Sequence, residues 1–198
     1  MNRLLQIGFP SAVLAIGLTM SACTSKPEAP AAVEESAAPA IQVMAEPPAI
    51  GAEAPAFRLV SNEGTDVDLA SYRGQWVVLY FYPKDFTGGC TIQARNFQRD
   101  IAQYEAKTAV VLGVSFDDAK THAEFCEKEG LSFKLLADTE GVVSAQYGSV
   151  RGEGDSRLSA RNTFLIDPDG KVAQVYLGVE VNAHSEAVLA DLAKLQAG

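Results

Sequence analysis

Trp76-Val77-Val78-Leu79-Tyr80-Phe81-Tyr82-Pro83-Lys84-Asp85-Phe86-Thr87-Gly88-Gly89-Cys90-Thr91 is the stretch that decides the fold. Its first seven residues are aromatic or β-branched except for Leu79. An unbroken apolar run of this kind reads as a strand buried on both faces, at the centre of a sheet. Pro83 has no N–H to give to a ladder and ends the strand, so Pro83 to Gly89 reads as a loop. From Cys90 to Lys107 the apolar residues Ile92, Phe97, Ile101 and Tyr104 fall on one broad stripe at helical spacing.

The same reading extends outward on both sides. Downstream, Ala109 to Phe116 is a second buried strand, and Asp117 to Gly130 a helix with Gly130 as its stop. Phe133 to Ala137 is a strand and Thr139 to Tyr147 a short helix. Thr163 to Ile166 and Val172 to Leu177 flank Asp167-Pro168-Asp169-Gly170, a hairpin-turn signal, and Ala183 to Gln196 closes the chain as an amphipathic helix. Gly152-Glu153-Gly154-Asp155 reads as a flexible loop, not a phosphate cradle, because no strand leads directly into it. Upstream, Gly51 to Val60 is extended, Asn62-Glu63-Gly64 is a turn, and Thr65 to Leu69 completes a small hairpin. Alternating βαβ units with a terminal antiparallel hairpin predict an α/β protein. The expected arrangement is thioredoxin-like: a mixed central β-sheet flanked by helices, with an N-terminal hairpin extension.

Composition divides the chain into three parts. Residues 1–23 carry one ionic side chain, Arg3, and an apolar core from Leu4 to Met20, followed by Ser21, Ala22 and Cys23. That is the order of a bacterial secretory signal. The small residues before Cys23 resemble a lipobox, in which the cysteine is acylated and becomes the new N-terminus, although Met20 stands where the pattern usually has Leu. Residues 24–50, rich in Ala, Pro and Glu, lack the large apolar side chains that would offset ordering entropy and read as a disordered tether. Residues 51–198 form the folded domain. The expected location is the extracytoplasmic bacterial envelope, facing the periplasm, with membrane attachment only through the N-terminal anchor. The formal charge is −9, from 16 basic and 25 acidic residues. Phosphate backbones and anionic membrane surfaces would repel such a chain, so nucleic-acid binding is excluded.

Three cysteines, Cys23, Cys90 and Cys126, are too few for a disulfide scaffold, and no CxxC pair suggests a zinc ribbon. Cys90 follows a glycine-rich loop at a helix start, where unpaired N–H groups and the helix dipole favour a thiolate over a thiol whose free pKa is about 8.5. Thr87, three residues earlier, either caps the helix or places its hydroxyl beside the sulfur. Pro83 stiffens the loop.

Pro83, Thr87 and Cys90 occupy the spacing Pro, three residues, Thr, two residues, Cys, directly after the central strand. With Leu79 to Asp85, Gly130-Leu131-Ser132-Phe133 and Arg161-Asn162-Thr163-Phe164-Leu165-Ile166-Asp167, the chain resembles the peroxiredoxin family, in its bacterioferritin comigratory protein or Prx-Q branch. The resemblance implies a thiol peroxidase in which Cys90 attacks hydrogen peroxide or organic hydroperoxides and becomes a sulfenic acid. It assigns a guanidinium to the site, Arg161, although a surface ion pair is the plainer role for that residue. Many members of the branch carry a second cysteine five residues after the first; that position is Arg95 here, and Gly88 replaces a proline often seen in the loop. Some members place their resolving cysteine on the later helix, which implies Cys126, otherwise a buried core thiol. A thioredoxin-like dithiol protein would recycle the disulfide, no metal, haem or flavin is implied, and a monomer is expected. His122 lies one helical turn from Cys126 and could make a metal corner or lower that thiol's pKa. His184 reads as a solvated end residue. A thiol–disulfide oxidoreductase would need a cysteine in place of Thr87, and a copper-delivery CxxxC motif would need one in place of Ala94.

Overall fold

The computed structural model describes residues 46–197; the expected signal segment, Cys23 and nearly all of the tether lie outside the described residues. Among the described residues, no helix is long and apolar enough to cross a membrane.

Among the described residues, nine strands and four α-helices follow one another as β1 (Arg58–Ser61), β2 (Asp66–Asp68), β3 (Trp76–Phe81), α1 (Gly88–Glu105), β4 (Ala109–Ser115), α2 (Ala119–Glu129), β5 (Lys134–Ala137), α3 (Val142–Gln146), β6 (Val150–Arg151), β7 (Leu158–Ser159), β8 (Thr163–Ile166), β9 (Val172–Tyr176) and α4 (His184–Ala197). Seven strands form one sheet in the order β2-β1-β5-β4-β3-β8-β9. β3, β4 and β5 are parallel, whereas β8 and β9 at one side and β1 and β2 at the other run antiparallel to their neighbours. The sheet is mixed as expected, and the N-terminal hairpin is joined to it through β1 on β5.

β3 lies inside the sheet, between β4 and β8, because it is apolar on both faces. Val78, Tyr80 and Tyr82 enter one core with Phe97, Tyr104, Phe125, Val188 and Leu192 from the helices α1, α2 and α4. Val77, Leu79 and Phe81 enter the other, with Leu69, Val143, Tyr147, Phe164 and Val172. This alternation follows from the period of two along a strand. On β4, opposite Tyr80, Gly113 is bare for a reason: a Cβ there would lie 2.6 Å from a Leu135 methyl and 2.7 Å from the Tyr80 ring.

Helix ends follow their local chemistry. The Asp118 carboxylate accepts from the Thr121 N–H at 2.7 Å, and α2 stops at Gly130, whose φ of +65° suits a residue without Cβ. The predicted Thr139–Tyr147 helix is shorter than expected, because the Asp138 carboxylate takes the N–H groups of Val143 and Ser144 at 3.2 and 2.7 Å and starts α3 at Val142. The predicted Thr65–Leu69 strand ends at Asp68, which caps a 3₁₀ turn from Leu69 to Tyr72. The Gly152–Asp155 segment is a loop, but contrary to expectation a strand, β6, leads directly into it. It is the connection of a small β6–β7 hairpin, with Gly152 at φ +80° packed against the Ser156 carbonyl and a 3₁₀ turn over Gly154–Ser156. Two-residue strands carry no readable periodicity, which is why the sequence does not announce them.

Candidate active site

The site forms where β3 gives way to α1. Phe81 and Tyr82 are still held by the sheet, their N–H groups donating to the Asn162 and Val114 carbonyls at 2.8 and 3.1 Å. Pro83 then turns the chain and is itself buried. Lys84, Phe86 and Thr87 lie at the surface while Asp85 turns inward, and Phe86 is in the left-handed region at φ 59°. Thr87 occupies the N-cap position with extended backbone, and its carbonyl accepts from Thr91 N–H at 2.9 Å. Its hydroxyl does not cap the helix; it donates to the Lys84 carbonyl at 2.8 Å.

Helix α1 begins two residues earlier than predicted, so Cys90 is its third residue and lies within the turn whose N–H groups lack helical partners. The thiol is 1% exposed. The chain just before β8 brings Arg161 over it: Nη2 donates to Cys90 Sγ at 3.4 Å, and Nη1 donates to Gln93 Oε1 at 2.6 Å. Gln93, buried and one turn along α1 from Cys90, fixes the guanidinium plane. Gly89 leaves room for it, since a Cβ there would stand 3.3 Å from Arg161 Nη2. A cleft of about 430 Å³ borders this arrangement, lined by Pro83, Arg151, Ala160, Arg161, Asn162, Gly178 and Val179. The Asn162 side chain ties its walls together, donating to Ser149 Oγ at 3.0 Å and accepting from the Gly178 N–H at 3.1 Å.

The structure thus gathers Pro83, Cys90 and Arg161, with exposed Thr87 at the helix start. Cys126 sits on α2, 7% exposed, in the same apolar cluster as Cys90, and both thiols are free. Burial pushes the Cys126 thiol up to about 12, with the Asp85 and Glu63 charges adding to the effect. The alternative that His122 lowers that thiol's pKa is therefore corrected. His122 is fully buried and turned to Asp85, its Nδ1 2.7 Å from Asp85 Oδ2. Among the described residues no cluster of three metal-ligating side chains occurs. His184 is likewise not a solvated end residue. It is 5% exposed, its Nε2 lies 2.9 Å from Thr163 Oγ1, and Phe97 and Tyr176 present ring edges to it. Burial first, and the Arg161 charge second, lower its pKa to about 4. Arg95, where a second cysteine often stands in the branch that the chain resembles, instead pairs with Glu129 of α2 at 2.6 Å.

Gln93, Gly89 and the Asp85–His122 contact were not singled out by the sequence reading. Gln93 lies three residues after Cys90, on the same helix face, and that spacing was the available signal. A polar residue on a stripe chosen for its apolar members passes unnoticed.

The family described as AhpC/TSA matches residues 50–175. Peroxiredoxin Bcp of Xanthomonas campestris pv. campestris is 38% identical over 133 residues, 65% of this chain and 83% of the relative. Among solved structures, a PrxQ variant of Xylella fastidiosa superposes with a TM-score of 0.71 at 33% identity, covering 76% of this chain and 98% of that one. The bacterioferritin comigratory protein of Xanthomonas campestris, studied for its alkyl peroxide reduction activity, gives 0.67 at 34% identity over 72% of this chain and 92% of that one.

Proposed function

The chain belongs to the AhpC/TSA family, in its Bcp/Prx-Q peroxiredoxin branch, and from that membership we propose that Cys90 is the sulfur that attacks the peroxide. The protein is a thiol-dependent peroxidase. The observation that carries the assignment to Cys90 is the Arg161 guanidinium on its Sγ at 3.4 Å, at the N-terminal turn of α1.

The thiolate is the reactive form. A guanidinium, always charged, and the positive end of a helix both favour it. The thiolate sulfur bonds to the distal oxygen of the hydroperoxide as the O–O bond breaks. Cys90 becomes a sulfenic acid, and the alkoxide or hydroxide that leaves takes up a proton to give alcohol or water. Arg161, bridging sulfur and Gln93, is placed to donate to the oxygens on which charge develops. Because the Thr87 hydroxyl proton is directed to Lys84, its oxygen is left to accept from the hydroperoxide O–H. Pro83 walls one side of the approach cleft.

Cys126 then attacks the Cys90 sulfenic sulfur. An S–S bond forms, the S–O bond breaks, and water leaves with the thiol proton. A thioredoxin-like dithiol reduces the disulfide. One chain holds both thiols required, so the catalytic unit is read as the monomer. With Cys23 acylated and residues 24–50 as a tether, the domain would work on the periplasmic face of the bacterial envelope; the order of charged start, apolar core, small residues and cysteine supports that reading. The test is peroxide consumption with a dithiol donor, together with non-reducing electrophoresis. Cys90→Ser abolishes consumption. Cys126→Ser completes one turnover, forms no intramolecular disulfide and stalls with that donor. Activity surviving in Cys90→Ser overturns the assignment.

A further inference from the structure

The residues between Pro83 and Thr87 do more than connect β3 to α1, because two of them are seated on the helix that carries Cys126. Asp85 is 2% exposed. Its carboxylate accepts from Tyr82 Oη at 2.6 Å and meets His122 Nδ1 at 2.7 Å, and the side chains of Asp85 and His122 are both fully buried. Its N–H donates to Asp117 Oδ2 at 2.9 Å, where the Ser115 hydroxyl also donates at 2.7 Å. The next residue, Phe86, presents its ring edge-on to Phe125 at 5.1 Å, and Lys128 Nζ lies 5.2 Å from its centroid. His122, Phe125 and Lys128 are spaced three apart on α2, so one helix face receives the whole contact, and Cys126 follows His122 by one turn.

This contact is firm in its middle and poised at its edges. A buried side-chain hydrogen bond holds firmly while closed, because breaking it leaves buried polar atoms unmet. Yet His122 Nε2 finds no protein partner among the described residues, and an unsatisfied buried nitrogen gains by meeting water. Phe86 holds a left-handed φ of 59°, which disfavours a residue with a Cβ. Both features lower the barrier to letting go. In the closed state α2 also covers the Cys126 thiol, which is 7% exposed, and burial favours its protonated form, so resolution gains from opening.

We propose that Asp85 and Phe86, seated on His122 and Phe125, are the positioning residues that set how fast Cys126 is released to meet oxidised Cys90. They hold α2 against the Cys90 loop while peroxide is attacked, and their separation frees the turn that contains Cys126. The inference rests on the reading that Cys126 resolves. It makes a kinetic statement: loosening the contact speeds disulfide formation and leaves peroxide attack nearly untouched, a division that a general loss of stability would not produce.

The experiment follows the two steps separately in the full chain after one equivalent of hydrogen peroxide. Sulfenic acid is trapped with dimedone, and the disulfide is followed by acid quench and non-reducing electrophoresis. Asp85→Asn replaces the carboxylate by an amide that keeps an acceptor, and Phe86→Ala removes a partly exposed ring while leaving the buried Phe125 in place. Each is expected to form the Cys90–Cys126 disulfide on the order of tenfold faster, the effect of losing one such contact, with sulfenic acid formation within about threefold of wild type. Hydrogen exchange over Ala119–Glu129 should quicken in parallel. Should Asp85→Asn not fold, Phe86→Ala decides alone. Disulfide formation unchanged or slower in Phe86→Ala overturns the positioning role. Absence of a Cys90–Cys126 disulfide in the wild type overturns instead the reading of Cys126 as the resolving thiol, so the two failures are told apart.

Discussion

Arg161→Met is the substitution most exposed to refutation. It keeps an unbranched apolar side chain of similar reach but removes both guanidinium contacts, the 3.4 Å one to Cys90 Sγ and the 2.6 Å one to Gln93 Oε1. A hydrogen bond to a charged group contributes about 1.5–3 kcal/mol. With each 1.36 kcal/mol equal to a factor of about ten in rate, the second-order rate of peroxide attack should fall on the order of 10- to 150-fold. The lower part of that range is favoured, because Arg161 is half-buried and its bond to sulfur is long. Arg161→Lys should recover only part of the loss, since one ammonium cannot span Gln93 and Cys90 together as the planar fork does. The assay is stopped-flow consumption of hydrogen peroxide under single-turnover conditions, with dimedone trapping of the sulfenic acid as a second readout. His184 supplies an internal control: the Arg161 charge is the second cause of its lowered pKa, so its imidazole should titrate at higher pH in Arg161→Met. A folded variant whose His184 shifts while its attack rate stays within about twofold of wild type would refute the role given to the guanidinium.

His184 also predicts an acid limit to stability. Its ordinary pKa of 6.5 is lowered to about 4 in the fold, so the unfolded chain takes the proton first as pH falls. Stability is therefore full above pH 6.5, declines toward pH 4 and levels below it, a loss of up to about 3 kcal/mol. Urea midpoints measured across that window should slope for wild type and lose this slope in His184→Asn; equal slopes would contradict the prediction. The anchor is tested by labelled palmitate in a bacterial host: wild type incorporates label, Cys23→Ser does not, and an unlabelled wild type ends the lipoprotein reading.

Much of this protein is written locally. The apolar run Trp76–Tyr82 had to be a strand covered on both faces, Pro83 had to end it, and Asp167-Pro168-Asp169-Gly170 had to reverse the chain, because each follows from backbone hydrogen bonding and burial within a few residues. The apolar stripe that begins after the Pro83–Gly89 loop placed Cys90 at a helix start for the same reason, whereas the spacing of Pro83, Thr87 and Cys90 informed through its resemblance to peroxiredoxins. What only the tertiary structure decided lies between segments distant in the chain. Arg161 meets Cys90 across 71 residues and Gln93 across 68, and Asp85 meets His122 across 37. His184 is buried because the surfaces of Phe97 and Tyr176 converge on it, although its place at a helix start suggested exposure. The protonation of Cys126 follows from the packing of α2 beneath the Cys90 loop, which its own helix does not specify. Charge and burial are properties of whole environments, and an environment exists only once the sheet has brought its loops together.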